Sequence, residues 1–535
     1  MKQLLLINPP ATKASEPPLS LGVLLAYLRE HDIAAEALDA NLAAYRYLLD
    51  PASLATVAGE APSTAVRRAL KHLPASLALL RSTAALESFG RYATAVRHLD
   101  QLLGLYRGRD GRERLTLGDY QHQGLSPFSP EDQERLARNE QATLFADYFR
   151  YELVPQIKAS NPQLVAISIN FLNQALPAFE LAGLLRRELP DLELVVGGGL
   201  PTSWQKMLRQ LDLRLAPFDR VVFGPGEWPL LELARGAAAE NYFLEGSEPI
   251  GFVPDYSFAA LVEYLSPQPV LPLSTSRGCY WKQCLFCPEA SAPVHSFVDA
   301  GQGTVPMLLR RLADEFGIRH FHLTDNAIPV SQLRMLAEAA PQLAGLNWYG
   351  FVRFEKYLEE STFVQRLADS GCRMLQLGLE SGSQKVLDRL GKGIRLEGAA
   401  KILENLQQAG IASYVYIMLG SPGETEADAE LTRCFLLKHA ETIDYLNLSI
   451  MNLPRASGLL ENPDEYGIET SQLLEETAPL GLYQDFTTSS GWDRKSARRF
   501  LDRRLLGEPV IRSIVQRTPP WFTSNHAHFF GKKNV

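Results

Sequence analysis

The sequence predicts an α/β protein in three parts. A doubly wound domain covers residues 1–235 and carries a helical insertion at about 45–160. A partial (β/α)6 barrel covers 236–460, and a mostly helical C-terminal cap covers 461–535. Three observations predict this. A chain of 535 residues is long enough for about three or four folding units. Apolar runs of strand length alternate with stretches of helical period, the pattern of a parallel sheet with helices on its faces. After residue 270 six such units follow one another without interruption, which suggests an open ring rather than the closed one of eight.

Composition removes several classes. Apolar residues make up 46% and charged residues 21%, with 38 Gly and 34 Pro, so neither disorder nor a collagen-like repeat fits. The net charge of −8 argues against a protein built to track nucleic-acid backbone. No stretch approaches the ~18 apolar residues of a membrane span. The N-terminal apolar run, Leu4-Leu5-Leu6-Ile7, is too short for a secretory signal and reads as a first strand, so a cytoplasmic protein is expected.

In chain order, residues 4–7 form a short buried strand, 19–28 a helix, and 164–169, 192–196 and 221–223 further strands, with a helix at 175–189. Ligands of such sheets sit beyond the carboxyl ends of the strands. Those ends carry Asn8-Pro9-Pro10, Ser168-Ile169-Asn170, Gly197-Gly198-Gly199 and Gly224-Pro225-Gly226-Glu227. Glycines there let a large ligand approach the backbone. The insertion shows helical period at 65–80 and 131–151. Its basic residues Arg67, Arg68, Lys71, Arg81, Arg91, Arg97, Arg107 and Arg109 read as a solvated face or as contacts to an anion.

The barrel strands are expected at 271–276, 321–324, 348–352, 374–379, 414–419 and 445–450, separated by helices at 304–316, 332–340, 362–369, 399–409 and 427–439. Chemistry in such a ring belongs at the C-terminal ends of its strands. The residues from about 461 break the rhythm. Within them Arg494, Lys495, Arg498, Arg499, Arg503 and Arg504 read as a solvated helix face, and His526 and His528 as packed or exposed, with reach to the active cavity or a metal as the alternative.

Of five cysteines, Cys279, Cys284 and Cys287 fall within nine residues, directly after the first barrel strand, in Ser276-Arg277-Gly278-Cys279-Tyr280-Trp281-Lys282-Gln283-Cys284-Leu285-Phe286-Cys287. This is a metal loop of a reducing compartment and not a disulfide framework. Three thiolates from one loop can hold three irons of a cubane and leave the fourth open to a ligand. The alternative is zinc completed by His295. Cys372 and Cys434 read as buried small hydrophobes.

The loop, the six-unit barrel and the preceding α/β domain resemble radical S-adenosylmethionine (radical SAM) enzymes that carry an N-terminal Rossmann-like, cobalamin-binding domain. The likeness spans roughly residues 1–45 and 160–460, and it implies a TIM-like partial barrel. It implies a [4Fe-4S] cluster on Cys279, Cys284 and Cys287, S-adenosylmethionine, and cobalamin. The family spacing is C-x3-C-x2-C, whereas this chain has C-x4-C-x2-C. By resemblance, Phe286 packs near the adenine, and Thr324-Asp325-Asn326 and Arg353 end the second and third strands, Arg353 as a carboxylate partner or a structural ion pair. Gly378-Leu379-Glu380-Ser381-Gly382 matches G-x-E-S-G, whose polar residues Glu380 and Ser381 reach S-adenosylmethionine. Gly420-Ser421-Pro422-Gly423-Glu424 matches the G-x-P-G-E turn, placing Gly420 and Pro422 near the adenine.

The cobalamin pocket implied for the first domain takes Asn8, Pro10, Ser168, Asn170, Gly197, Gly198, Gly199, Gly224, Gly226 and Glu227. No D-x-H-x-x-G motif is present, so no lower axial ligand is assigned. The expected function is radical methyl transfer to an unactivated carbon of a small molecule, with flavodoxin or ferredoxin as electron donor and neither membrane nor nucleic acid as partner. Two rivals stand beside it: a radical reaction without methyl transfer, and a non-catalytic zinc-stabilised binding protein.

Overall fold

The structure is a computed structural model describing residues 2–108, 110–236, 241–246, 253–291, 296–301, 303–470, 478–489 and 491–531. The chain folds as two units. The first comprises residues 2–272 with 478–480 and Pro520–Phe522, and the second holds the remainder.

The first unit is built on a six-stranded sheet of Leu4–Asn8 (β1), Ala35–Asp39 (β2), Leu164–Ser168 (β3), Glu193–Gly197 (β4), Arg220–Phe223 (β5) and Phe243–Glu245 (β6), in the order β2-β1-β3-β4-β5-β6. Every pairing is parallel. Strands β1 and β3 are buried at every position, as expected for runs covered on both faces. Because β1 lies between β2 and β3, the connections diverge above it, and such a switch point is where sheets of this kind take their ligands. Two strands escape the sequence reading. Strand β2, Ala-Glu-Ala-Leu-Asp, is an edge strand with Glu36 exposed, Leu38 and Asp39 half-buried and two acids in five residues. Strand β6 lies beyond residue 235.

The insertion pairs two long helices, Thr64–Leu80 and Phe89–Leu103, each started by a serine whose hydroxyl accepts from the third backbone N–H, Ser63 from Val66 and Ser88 from Arg91. The helix expected over 131–151 is broken. Pro130–Ala137 ends before Asn139, which takes a left-handed φ of +57°, and helical structure resumes only at Ala146. Between them Thr143 turns its N–H and hydroxyl onto the buried carboxylate of Glu180, and that burial overrides local propensity. Arg67, Arg68, Lys71, Arg91, Arg97 and Arg107 are exposed and Arg81 is half-buried, while Arg109 lies outside the described residues.

A second six-stranded sheet consists of Val270–Leu273 (β7), in which the chain passes from the first unit to the second, and of His320–Leu323 (β8), Asn347–Val352 (β9), Cys372–Glu380 (β10), Ala412–Leu419 (β11) and Tyr445–Ile450 (β12) of the second unit, hydrogen-bonded in simple sequence order as an open sheet. Helices Thr304–Phe316, Val330–Glu338, Ser361–Asp369, Leu396–Ala409 and Glu426–Lys438 make the crossovers. A short extra helix, Gln384–Arg389, follows β10. Beyond β7 the chain leaves the sheet, and Ser276–Arg277 pairs antiparallel with Val298–Asp299.

Consistent right-handed crossovers put helices on one face of such a sheet. The C-terminal segment takes the other. The Tyr349 hydroxyl donates to the Asn525 carbonyl at 3.5 Å, and its ring stacks on His528 at 4.2 Å. His320 packs on Phe529 with ring centroids 5.0 Å apart, and Tyr416 hydrogen-bonds Ser524. His526 and His528 are therefore packed residues, fully buried. The C-terminal region is less purely helical than expected. Two small ladders join Leu453–Pro454 to Tyr483–Gln484 and Ile468–Thr470 to Phe486–Thr488. Of its basic cluster, Lys495, Arg498, Arg499, Arg503 and Arg504 are exposed, and half-buried Arg494 donates to Asn452 at 2.6 Å.

Candidate active site

Asp325, just past β8, anchors the cysteine loop. It is buried, and its carboxylate accepts from the Thr275 N–H at 3.1 Å, the Thr275 hydroxyl at 2.9 Å and the Ser276 hydroxyl at 2.6 Å. Burial pushes this carboxyl up, against those bonds. Its role in the structure is to fix the chain three residues before Cys279, while its neighbour Asn326 is exposed.

From there the loop turns through Gly278 at φ +72° and Lys282 at φ +53°, and the Cys287 N–H donates to the Cys284 carbonyl at 3.0 Å. All three thiols are half-buried. Burial pushes the Cys287 thiol up to about 11, and the neighbouring Cys284 and Cys279 add to the effect. Phe286 packs with Leu285 against an apolar cluster of Val386, Leu390, Met451 and Leu459, and the Lys392 ammonium lies 5.5 Å from its ring centroid.

The strand ends around the loop are tied to it. Arg353, buried after β9, donates from Nη1 to Cys284 Sγ at 3.7 Å, from Nη2 to the Lys392 carbonyl at 2.5 Å and from Nε to Glu355 at 3.2 Å. Glu380 ends β10 at a register shift with φ +68°, and its carboxylate pairs with Lys392 Nζ at 2.8 Å. Ser381 is fully buried, its hydroxyl 3.2 Å from that of Thr432, and serves the packing behind the strand end. After β11, Gly420 at φ +81° begins a turn with buried Pro422, closed by Glu424, whose Oε2 accepts from the Gly420 and Ser421 N–H groups at 2.6 and 3.1 Å.

In the first unit the strand-end residues form one connected tier. Asn170 Oδ1 accepts from the Gly199 N–H at 3.0 Å, and its amide donates to Ser168 at 3.0 Å. The Thr202 hydroxyl donates to the Gly198 carbonyl at 2.8 Å and accepts from the Gly224 N–H at 3.0 Å. Gly198 has φ +105°, and a Cβ there would lie 2.5 Å from the Ile169 carbonyl, so no other residue fits. Gly226 and buried Glu227 open the helix Glu227–Ala234. Asn8 connects to this tier through Gln174: it donates to Asp39 at 2.9 Å and accepts at 2.9 Å from Gln174, whose Oε1 accepts from the Asn170 N–H at 2.9 Å, and it lies beside buried Pro10.

Residues 273–435 match the Radical SAM superfamily. The chain carries a radical SAM domain. An uncharacterized methyltransferase from Pyrococcus horikoshii is 22% identical over 55% of this chain and 68% of its own. Two solved structures share the fold. The cobalamin-dependent radical SAM enzyme OxsB, with aqua-cobalamin bound, has a TM-score of 0.59 at 14% identity, covering 94% of this chain and 67% of that one. The radical SAM methyltransferase TsrM from Kitasatospora setae, with cobalamin and a [4Fe-4S] cluster bound, has a TM-score of 0.56 at 15% identity, covering 96% and 91%.

A radical SAM enzyme works with a [4Fe-4S] cluster and S-adenosylmethionine, and the donor set fits. Three soft thiols come from one loop beside buried Arg353, whose N–H already addresses a sulfur. A single tetrahedral zinc with ~2.3 Å bonds draws its sulfurs to about 4 Å of one another. Among the described residues, the group that brings three ligand atoms within 4.8 Å is Asp110, Glu113 and His122, and not the cysteines. Within that trio Asp110 accepts from the Arg112 N–H, Glu113 Oε2 from the Tyr120 hydroxyl and the Leu144 N–H, and His122 from the Gly124 N–H. His295 lies outside the described residues. Cys372 is buried as expected, but Cys434 is exposed, since it falls on the outer side of its helix. No helix among the described residues is long and apolar enough to cross a membrane.

Sequence reasoning missed Lys392, Trp281 and Glu355 as members of this radical SAM site. Lys392 follows the extra helix 12 residues after Glu380, at no recognisable motif, and only the fold brings the pair together.

Proposed function

We propose that this radical SAM enzyme is a cobalamin-dependent methyltransferase acting on an unactivated carbon of a small molecule, reduced by a donor such as flavodoxin or ferredoxin. One observation carries most of the weight. The likeness to the two cobalamin-bound structures extends over 94% and 96% of the chain, far beyond the radical SAM domain. The glycine-rich strand ends at the switch point of the first unit support it, because a Cβ at Gly199 or Gly224 would meet nothing closer than 3.7 Å, which leaves the room a bulky nucleotide tail needs.

When bound, the cluster and S-adenosylmethionine supply a 5′-deoxyadenosyl radical, and the corrinoid supplies a methyl group. The residues have separable tasks. Cys279, Cys284 and Cys287 hold three irons. Glu380, fixed by its left-handed backbone and by Lys392, takes the amino end of S-adenosylmethionine. Phe286 offers one apolar edge to the adenine. The Gly420 to Pro422 turn offers carbonyls and apolar surface, since the Gly420 and Ser421 N–H groups already belong to Glu424. Asp325 holds the loop in register. Ser168, Asn170 and the glycine tier receive the corrinoid tail.

Anaerobic reconstitution tests this reading. Wild-type protein is expected to form 5′-deoxyadenosine and to retain a corrinoid detectable by mass. Cys279→Ala, Cys284→Ala and Cys287→Ala are each expected to abolish the nucleoside. Nucleoside formation without any bound corrinoid would favour the non-methylating radical reaction, and one zinc with no iron or sulfide would favour the binding protein.

A further inference from the structure

The first gap of the cysteine loop has one residue more than the usual spacing, and the structure shows what that longer segment packs against. Trp281 lies inside the gap. Its indole N–H donates to the Gly391 carbonyl at 3.2 Å, and its ring occupies the space a Cβ of Gly393 would need, with a ring carbon 2.2 Å from that position. Its other side faces the Arg353 guanidinium, 4.0 Å from the ring centroid. Trp281 is thus held between a cation and a glycine turn.

The same guanidinium is buried and divided among three acceptors: Cys284 Sγ, the Lys392 carbonyl and Glu355. Glu355 in turn accepts from the Tyr280 hydroxyl at 2.7 Å, one residue after Cys279. A charged group thereby touches the loop at a ligand sulfur and at the stacked Trp281, and its counter-charge, bonded to Nε, touches the loop at Tyr280.

We propose that Arg353 is a positioning residue that sets the reduction potential of the cluster, with Glu355 as its electrostatic counterweight. Reduction adds negative charge to the cluster. A cation and an N–H directed at a ligand sulfur stabilise the reduced state, and burial lengthens their reach. Glu355 opposes this by partly neutralising the guanidinium. The assignment rests on the radical SAM domain and not on methyl transfer, so it can fail while the corrinoid reading stands, and the reverse.

The test is a redox titration, followed by electron paramagnetic resonance, of anaerobically reconstituted full-length wild type, Arg353→Gln, Arg353→Lys and Glu355→Gln, with iron content measured on each sample. Arg353→Gln is expected to move the midpoint to a more negative value. The reduced-to-oxidised ratio at fixed poise should fall about tenfold, equivalent to about 59 mV for a one-electron couple. Arg353→Lys falls between it and the wild type. Glu355→Gln moves the midpoint the opposite way, which loss of packing alone would not do. Should Arg353→Gln not take up iron, Glu355→Gln decides by itself. Midpoints unchanged at full iron content, or a negative shift in Glu355→Gln, would overturn the proposal.

Discussion

Glu424 illustrates how a motif residue acts on its own turn. Burial pushes its carboxyl up to about 8, while two backbone N–H groups on one oxygen pull the other way. The folded state therefore holds a proton that the unfolded state releases near the ordinary carboxyl value of 4.5. Stability from this group is complete below about 4.5 and is lost as pH rises toward 8. Glu424→Gln keeps an acceptor for both N–H groups and removes the titration. Thermal unfolding should show the variant and wild type alike near pH 5, with the variant ahead by roughly a few degrees at pH 9. Equal differences at both pH values would refute this. Residue roles of this kind were only partly legible in the sequence. Thiol spacing announces a metal loop because three ligands must come from consecutive turns. Lys392 against Glu380, or Arg353 against Cys284, depends on which strand ends the fold brings together.

Among the elements, buried strands were the most readable and edge or ligand-facing segments the least. Strands β1, β3 and β9 to β12 stand out because apolar runs bounded by turns have few other uses. Strand β2 did not, because exposed Glu36 and half-buried Leu38 and Asp39 break up its apolar run, and the helix expected over 131–151 broke because Thr143 satisfies Glu180. The cysteine loop is an intermediate case, with its ligands visible and its supporting turn invisible. That turn makes a specific demand. Gly391 and Gly393 have φ of +64° and +68°, and a Cβ at Gly393 would meet the Trp281 ring at 2.2 Å. Gly317, at φ +67°, caps a helix with open space around it. Backbone strain alone costs about 1–2 kcal/mol at either site. Iron uptake should therefore persist in Gly317→Ala and fall sharply in Gly393→Ala, with secondary structure by circular dichroism retained in both. Equal iron content in the two variants would show that Trp281 does not depend on the turn.

At the scale of the whole molecule, the open barrel was readable from six repeating units, but the fate of its exposed inner face was not. A sheet that does not close leaves one face to be covered, and nothing in the period of residues 523–531 says that they cover it. The covering is aromatic and imidazole-rich: His322 stacks on Tyr349, Tyr349 on His528, and His528 and His320 both pack on Phe529. Burial lowers His320 to about 4 and drives His528 well below 6.5, and the neighbouring His526, His322 and Arg373 add to it. These histidines fold as neutral rings. Both folded values are depressed, so their contribution is full above about 6.5 and is lost as pH falls toward 4, the opposite sense to Glu424. Acid should loosen the C-terminal segment before the sheet beneath it. Limited proteolysis between pH 7 and 4.5 is expected to remove the segment increasingly at the acid end. His320→Phe, which keeps an aromatic ring against Phe529, is expected to weaken that dependence and leave the part that His528 carries, whereas Phe529→Ala should cost about 3–5 kcal/mol at every pH. Cleavage independent of pH in the wild type would mean that the imidazoles do not hold the segment in place.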